Sequence, residues 1–374
     1  MAVATVFTTL NANTASASQQ TLTGSKAQAE VTAEVDLKTF EVADTASIRT
    51  EQPNGIRFQT TVSKAEVAKL PDNAVFGTLM LPTELLGENA LTLTTDKVAN
   101  VKAIVYSENG DNYEYVTALV GSKNQTGFDN FDAKYYNKEI TARSYVTYTY
   151  GEAESATTVT KYSNAVSWSV GQTAGNLLAK KYDELGVEQV TFLKGVLDVV
   201  KTPAFAEENI PTVYAENIVD GAFALDVAFA DSVIGVMGDS VTGYEKVDSD
   251  TINVTLSDAT VTGKVTFLAI TEKATYEVTV NIANKPTVEI RVSEIDLSNN
   301  PAIALTELGL SADYAGSISV TLDDVQLEVT IADGKVNLPS TITAWGEKVL
   351  VIETDEKIIN ASVLLITKVI VTPA

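Results

Sequence analysis

The chain of 374 residues contains no cysteine and no histidine. Without cysteine there is no disulfide, no thiolate nucleophile and no thiolate-held metal. Stability is then indifferent to redox compartment, so secretion is neither required nor excluded. Without histidine, the commonest general base and metal ligand near neutral pH is missing. Ser-His-Asp and Cys-His catalysis go with it, as do most zinc sites. Only carboxylate, lysine or tyrosine chemistry is left, and the expectation is a protein that is not an enzyme and uses no cofactor.

Basic side chains are scarce too, with 26 Lys and Arg against 49 Asp and Glu and a formal net charge of −23. A surface that negative repels phosphate backbones and anionic lipid headgroups, which argues against nucleic acid as a partner. The acidic residues are scattered, without a block of five, and read as solvated faces that keep the chain soluble. No run approaches the roughly 18 apolar residues of a membrane span, so membrane insertion is not expected.

What is present is a hydrophobic fraction of 45%, ordinary for a folded protein. Residues 1–35 form a lead-in rich in Thr, Ala, Ser and Gln. Its start is mildly apolar and Ala15-Ser16-Ala17 resembles a small-residue cleavage site, but the first basic residue is Lys26. With Met1 as the true start this is not a standard secretory signal; inside a longer precursor it could be the tail of one. Ala2 to Leu10 is β-branched and partly alternating. It reads either as a terminal tail or as an assembly arm that adds a strand to a neighbouring subunit's sheet, burying Val3, Val6 and Leu10.

Residues 36–200 read as a β-sandwich domain with a helical tail. Short alternating runs are separated by turn chemistry at Pro53-Asn-Gly55, Glu108-Asn-Gly-Asp111 and Tyr150-Gly-Glu152. Apolar positions at helical spacing predict helices over Asn164–Leu185 and Glu188–Val200, broken at Gly186. Residues 201–211, with Pro203 and Pro211, read as a linker. Two further blocks, 212–284 and 285–374, have the size and alternation of immunoglobulin-like sandwiches. The expected fold class is mainly β: tandem Ig-like β-sandwich domains with a short helical segment around 164–200.

Three stretches in the first block, Asn54-Gly-Ile-Arg-Phe58, Phe76-Gly-Thr-Leu-Met-Leu-Pro-Thr-Glu-Leu-Leu86 and Ile140-Thr-Ala-Arg-Ser-Tyr-Val-Thr-Tyr-Thr-Tyr150, followed by the helical tail, resemble a β module of large Firmicutes surface proteins. The closing run Val363-Leu-Leu-Ile-Thr-Lys-Val-Ile370 is similar to the last strand of Ig-like modules from such proteins. The resemblance implies extracellular display and transfers no catalytic residue. Phages of these hosts carry related β modules on their virions.

Asp129 and Asp132, in Gly127-Phe-Asp-Asn-Phe-Asp-Ala-Lys-Tyr-Tyr136, form the best acidic and aromatic cluster. Paired carboxylates could run glycoside hydrolysis. A solvated Tyr-rich loop, or a glycan or partner contact through Tyr135 and Tyr136, fits the same residues. Glu108 to Asn112 and Asp323-Asp324 could offer oxygen ligands to a hard cation, but neither has EF-hand spacing and the first is a better hairpin turn. Arg57 and Arg143, within apolar strands, predict cross-strand ion pairs or snorkelling side chains. Trp168 and Trp345 predict core anchors. The expected function is structural: self-association, or binding to other structural subunits, on a virion surface. A cell-surface or extracellular-filament protein, or an adhesion module for a surface glycan, is the alternative.

Overall fold

The computed structural model describes residues 6–8, 33–103, 105–122, 127–152, 154–298 and 300–367. The chain divides into two compact units. The first comprises Met1–Ala206, Ala224–Thr255 and Thr266–Val278; the second comprises Glu207–Phe223, Leu256–Val265 and Thr279–Ala374. The fold is mainly β and consists of sandwich modules in tandem.

Among the described residues the first sandwich has ten strands. These are β1 (Val6–Thr8), β2 (Glu41–Val42), β3 (Ser47–Arg49), β4 (Gly55–Ser63), β5 (Val75–Pro82), β6 (Ala99–Lys102), β7 (Ser107–Asn109), β8 (Asn112–Leu119), β9 (Ile140–Tyr150) and β10 (Thr157–Trp168). One sheet runs β1-β8-β4-β2, with β3 on β4 and β7 on β8; the other runs β10-β9-β5-β6. Alternation decides the faces. Ile56, Phe58, Thr60 and Val62 of β4 are fully buried, whereas Arg57, Gln59 and Thr61 between them are not. The Glu108 to Asn112 run forms the expected β7-β8 hairpin, with Gly110 at φ 57° in the left-handed region.

The core between these sheets carries a polar knot. The Ser144 hydroxyl lies 2.7 Å from Thr60 Oγ1 on the opposite sheet and 2.9 Å from Thr78 Oγ1 beside it. The Tyr115 hydroxyl donates to the Gly77 carbonyl at 3.3 Å, and burial pushes its pKa up to about 12. An unfolded tyrosine ionises near 10, so stability present below pH 10 is lost as pH rises through the folded value. The loss amounts to about 2.7 kcal/mol across those two units at 1.36 kcal/mol each. Tyr115→Phe is expected to flatten the fall in stability between pH 10 and 12, measured by urea unfolding at each pH; an unchanged slope would assign the fall to other tyrosines.

The structure corrects the helical span. Strand β10 continues through Trp168, with a register shift between Tyr162 and Ala165. At that bulge the Asn164 side chain brackets Val42, accepting from its N–H at 2.8 Å and donating to its carbonyl at 2.9 Å. An amide side chain thereby imitates a strand neighbour, and residues 164–168 of the expected helix are extended chain. Helix α1 (Val170–Lys181) begins only after Ser169, whose hydroxyl accepts from Gln172 N–H while Gln172 Oε1 accepts from Ser169 N–H. Helix α2 (Val187–Val200) returns along it. Gly171 and Gly175 permit the close approach: a Cβ there would lie 3.1 Å from Val200 and 3.0 Å from Ile270. One continuous hydrophobic cluster within the first unit joins Val42, Phe58, Met80 and Tyr136 of the sandwich to Val170, Leu197 and Ile270.

Beyond the helices come β11 (Thr202–Pro203), β12 (Thr212–Tyr214), β13 (Ala222–Asp226), β14 (Val233–Met237), β15 (Val241–Lys246), β16 (Thr251–Leu256), β17 (Gly263–Thr271) and β18 (Thr275–Ala283). Their sheets are β11-β18-β17-β14, with β12 also on β18, and β13-β16-β15. The last set is β19 (Thr287–Arg291), β20 (Ile295–Asp296), β21 (Ala302–Ala304), β22 (Ile318–Leu322), β23 (Val325–Leu327), β24 (Thr330–Ala332), β25 (Lys335–Asn337), β26 (Gly346–Thr354) and β27 (Ile358–Ile366). Its sheets are β19-β27-β26-β22-β23, with β20 on β27, and β21-β25-β24. The two modules share one wiring. In each, the opening strands pair in parallel with the closing strand, and the remaining strands divide in the Ig-like manner.

Asp323 and Asp324, at φ 48° and 63°, are the two central residues of the β22-β23 hairpin, and Lys348 Nζ pairs with Asp323 at 2.6 Å. Among the described residues no group of three or more acidic side chains is placed to hold a metal ion. Trp345 is not a core anchor: it is 78% exposed, between the buried Leu338 and Leu350. Trp168 does pack on the core, with Nε1 donating to the Asp44 carbonyl at 2.7 Å.

Candidate functional site

Two adjoining features of the first sandwich stand out. The first is the outer edge of β8. Its inner neighbour β4 pairs along its whole length, from Ile56 opposite Leu119 to Ser63 opposite Asn112. On the other side β7 takes its first three residues, Asn112 to Glu114, and β1 pairs with its last three, Val6 opposite Leu119, Phe7 opposite Ala118 and Thr8 opposite Thr117. Strand β1 also lies against β6 of the facing sheet, covering the Thr117–Leu119 end of β8 that β7 leaves open. Of the predicted arm residues, Val6 is thus placed in a strand of this chain's own sheet. Val3 and Leu10 lie outside the described residues.

The second feature is a cavity of about 680 Å³ where β8 ends. Its wall includes Met80, Ala99, Leu119, Phe131 and Ile140, and its rim carries Lys97, Asp132 and Lys138. The segment 127–136 forms one side because it is stitched to the start of β4. Asn54 N–H donates to Asn130 Oδ1 at 2.8 Å, and Phe131 N–H donates to the Asn54 carbonyl at 3.0 Å. Asp129 is tied by main chain to both Gly121 and Ser122, Gly121 N–H donating to the Asp129 carbonyl at 2.9 Å and Asp129 N–H to the Ser122 carbonyl at 3.0 Å. A Cβ at Gly121 would stand 2.3 Å from the Asn130 carbonyl oxygen, so only glycine permits this approach.

All four candidates from the acidic and aromatic cluster, Asp129, Asp132, Tyr135 and Tyr136, line this cavity. Asp132 caps the short turn Ala133–Tyr135, accepting from Lys134 N–H at 3.1 Å, and its carboxylate pairs with Lys134 Nζ. That pairing holds the Asp132 carboxyl below its usual range and raises the Lys134 ammonium. Lys138 Nζ is paired with Glu84 at 2.6 Å. The Tyr135 ring has the Lys134 ammonium 4.9 Å from its centroid and Phe131 edge-on at 6.4 Å. Tyr136 is not on a solvated loop. It is 8% exposed, stacks parallel to Phe131 at 6.5 Å, and its carbonyl accepts from Gly171 N–H at the start of α1. Burial pushes its hydroxyl pKa up. Tyr136 is a structural link to the helices, Phe131 is buried beside it, and the site presents Tyr135.

The two arginines differ from expectation. Among the described residues Arg143 makes no ion pair; it donates from Nε to the Ser163 carbonyl at 3.0 Å and from a terminal nitrogen to the Leu91 carbonyl at 3.2 Å, over the Tyr162 ring. Arg57, opposite Ala118 of β8, has its Nε buried with no hydrogen-bond partner among the described residues, and burial lowers its pKa. The apolar wall residues Met80, Ala99 and Ile140 escaped the sequence reading because each looks like ordinary strand core.

No family model matches the chain, and no curated protein matches it. Among solved structures, SGBP-B of the Bacteroides ovatus mixed-linkage glucan utilization locus, in complex with a mixed-linkage heptasaccharide, is 10% identical; the match covers 79% of this chain and 62% of that one, with a TM-score of 0.20. The I9-I11 tandem of titin is 7% identical over 88% of this chain and all of that one, with a TM-score of 0.25. Extracellular domains 3–5 of Drosophila OTK are 12% identical over 91% of this chain and all of that one, at 0.17. Scores this low carry no argument about what the chain does.

Proposed function

We propose that this chain is a non-enzymatic structural protein displayed on an exterior surface, a bacteriophage virion component that decorates a head, fibre or tail and associates through its β-modules. One observation carries the reading. The cavity beside β8 has an aliphatic and aromatic wall, and two of the charged groups at its rim, Asp132 and Lys138, are tied up in ion pairs with Lys134 and Glu84. Such a site suits the seating of an apolar chain segment; proton transfer needs a group poised to titrate near the working pH. The tandem Ig-like wiring supplies stiff spacers, and the acidic surface keeps free subunits apart.

The second reading, a Gram-positive cell-surface or filament protein, is favoured by the resemblance over residues 54–58, 76–86 and 140–150. Immunogold electron microscopy with antibody against the purified chain separates them. Gold on virions is the expected result, gold on cell walls or filaments selects the second reading, and gold confined to the cell interior overturns both.

A further inference from the structure

We infer that the Thr117–Leu119 end of the outer edge of β8 is a socket for residues 6–8 of a second copy of this chain, so that copies join by exchanging β1. The inference deepens the proposed self-association and rests on that reading for its biological setting. On this edge β1 is held through three register pairs, with Thr117, Ala118 and Leu119. The same edge exists on every copy, and a strand from a neighbour satisfies it as well as the chain's own.

Reach permits the exchange. Residues 9–32 separate β1 from the rest of the described sandwich, and twenty-four residues can extend to about 80 Å. A body of the first sandwich's size is only about 40 Å across. Charge permits it as well. Residues 1–25 contain no Asp, Glu, Lys or Arg, in a chain whose composition is 20% charged with a net charge of −23. Broad faces of two copies repel each other, but this uncharged arm can cross to a neighbour without that penalty.

Mass action sets when exchange happens. A tether of this length presents β1 to its own β8 at roughly millimolar effective concentration, so dilute chains stay closed on themselves. Copies packed on a surface exceed that concentration. Exchange then replaces one set of strand pairs by an identical set and turns separate subunits into a linked array.

The absence of cysteine provides a clean test. Phe7 and Ala118 stand directly opposite. Full-length Phe7→Cys and Ala118→Cys chains are mixed at high concentration, oxidised, and run on a non-reducing gel. Phe7→Cys mixed with Val325→Cys, an exposed position in β23, measures random disulfide formation. The expected result is a cross-linked dimer about tenfold more abundant than in that control, rising with concentration. Cross-linking no better than the control, while the Phe7→Cys/Ala118→Cys double variant closes within one chain, overturns exchange. Should Ala118→Cys fail to fold, Thr8→Cys with Thr117→Cys asks the same question at the next register pair. The immunogold result is independent: labelled particles with no cross-link sink the exchange alone, and a cross-link without surface labelling sinks the surface reading alone.

Discussion

Valine in place of Gly55 is expected to unfold the first sandwich. A Cβ at this position would stand 2.1 Å from the Leu119 carbonyl oxygen and 2.9 Å from Val120 Cγ1, where real Cβ atoms do not go. Neither neighbour can yield cheaply. Leu119 is pinned by its pairing with Ile56, and the chain after it is held by the Gly121 and Asp129 bonds. The β4 and β8 strands must therefore part at the end where β1 docks and where the cavity lies. Overpacking a tight core costs about 1–3 kcal/mol, and a collision with main chain stands at or above the top of that range. Urea unfolding followed by tryptophan fluorescence reads the loss, since Trp168 packs on this core and Trp345 is already exposed. A cost for Gly55→Ala below about 1 kcal/mol would mean that the strand ends separate freely and that the close approach is not a constraint.

The other large effect is expected at Leu197. This side chain is fully buried in the cluster that runs from the first sandwich through both helices to Ile270. Leu197→Ala removes three carbons from a site walled by rigid neighbours and should cost about 2–5 kcal/mol. Because the cluster is continuous, the loss is expected in a single transition of the first unit, with fluorescence and far-ultraviolet circular dichroism moving together. A helical signal that melts ahead of the Trp168 signal would show that the hairpin folds separately from the sandwich.

These two sites mark how far the sequence could be read. Alternation made the strands legible, and Glu108-Asn-Gly-Asp111 made the β7-β8 hairpin legible, because both are local patterns. The true start of α1 was also written locally, in Ser169-Val-Gly-Gln172, but helical-looking spacing around Asn164 hid it. Asn164 sits there for a contact 122 residues away. The cavity was half legible. The cluster Asp129 to Tyr136 pointed at one wall, whereas the bonds that set that wall against β4 link Asn54 to Asn130, 76 positions apart. The burial of Tyr136 and the exposure of Trp345 are likewise tertiary outcomes that composition does not foretell. Gly55 looked like half of a turn signal, and its role is to let a carbonyl pass.

The wiring of the last module has a mechanical side. Its opening strands β19 and β20 run parallel to its closing strand β27, from Thr287 opposite Ile358 to Asp296 opposite Ile366. Tension that enters at the start of such a module and leaves at its end pulls these neighbours in opposite directions along their length. The ladder is loaded in shear, so its hydrogen bonds share the force and must yield together; an antiparallel pair peeled from one end would surrender them singly. A tether made this way resists stretching through strand direction, without a single covalent cross-link.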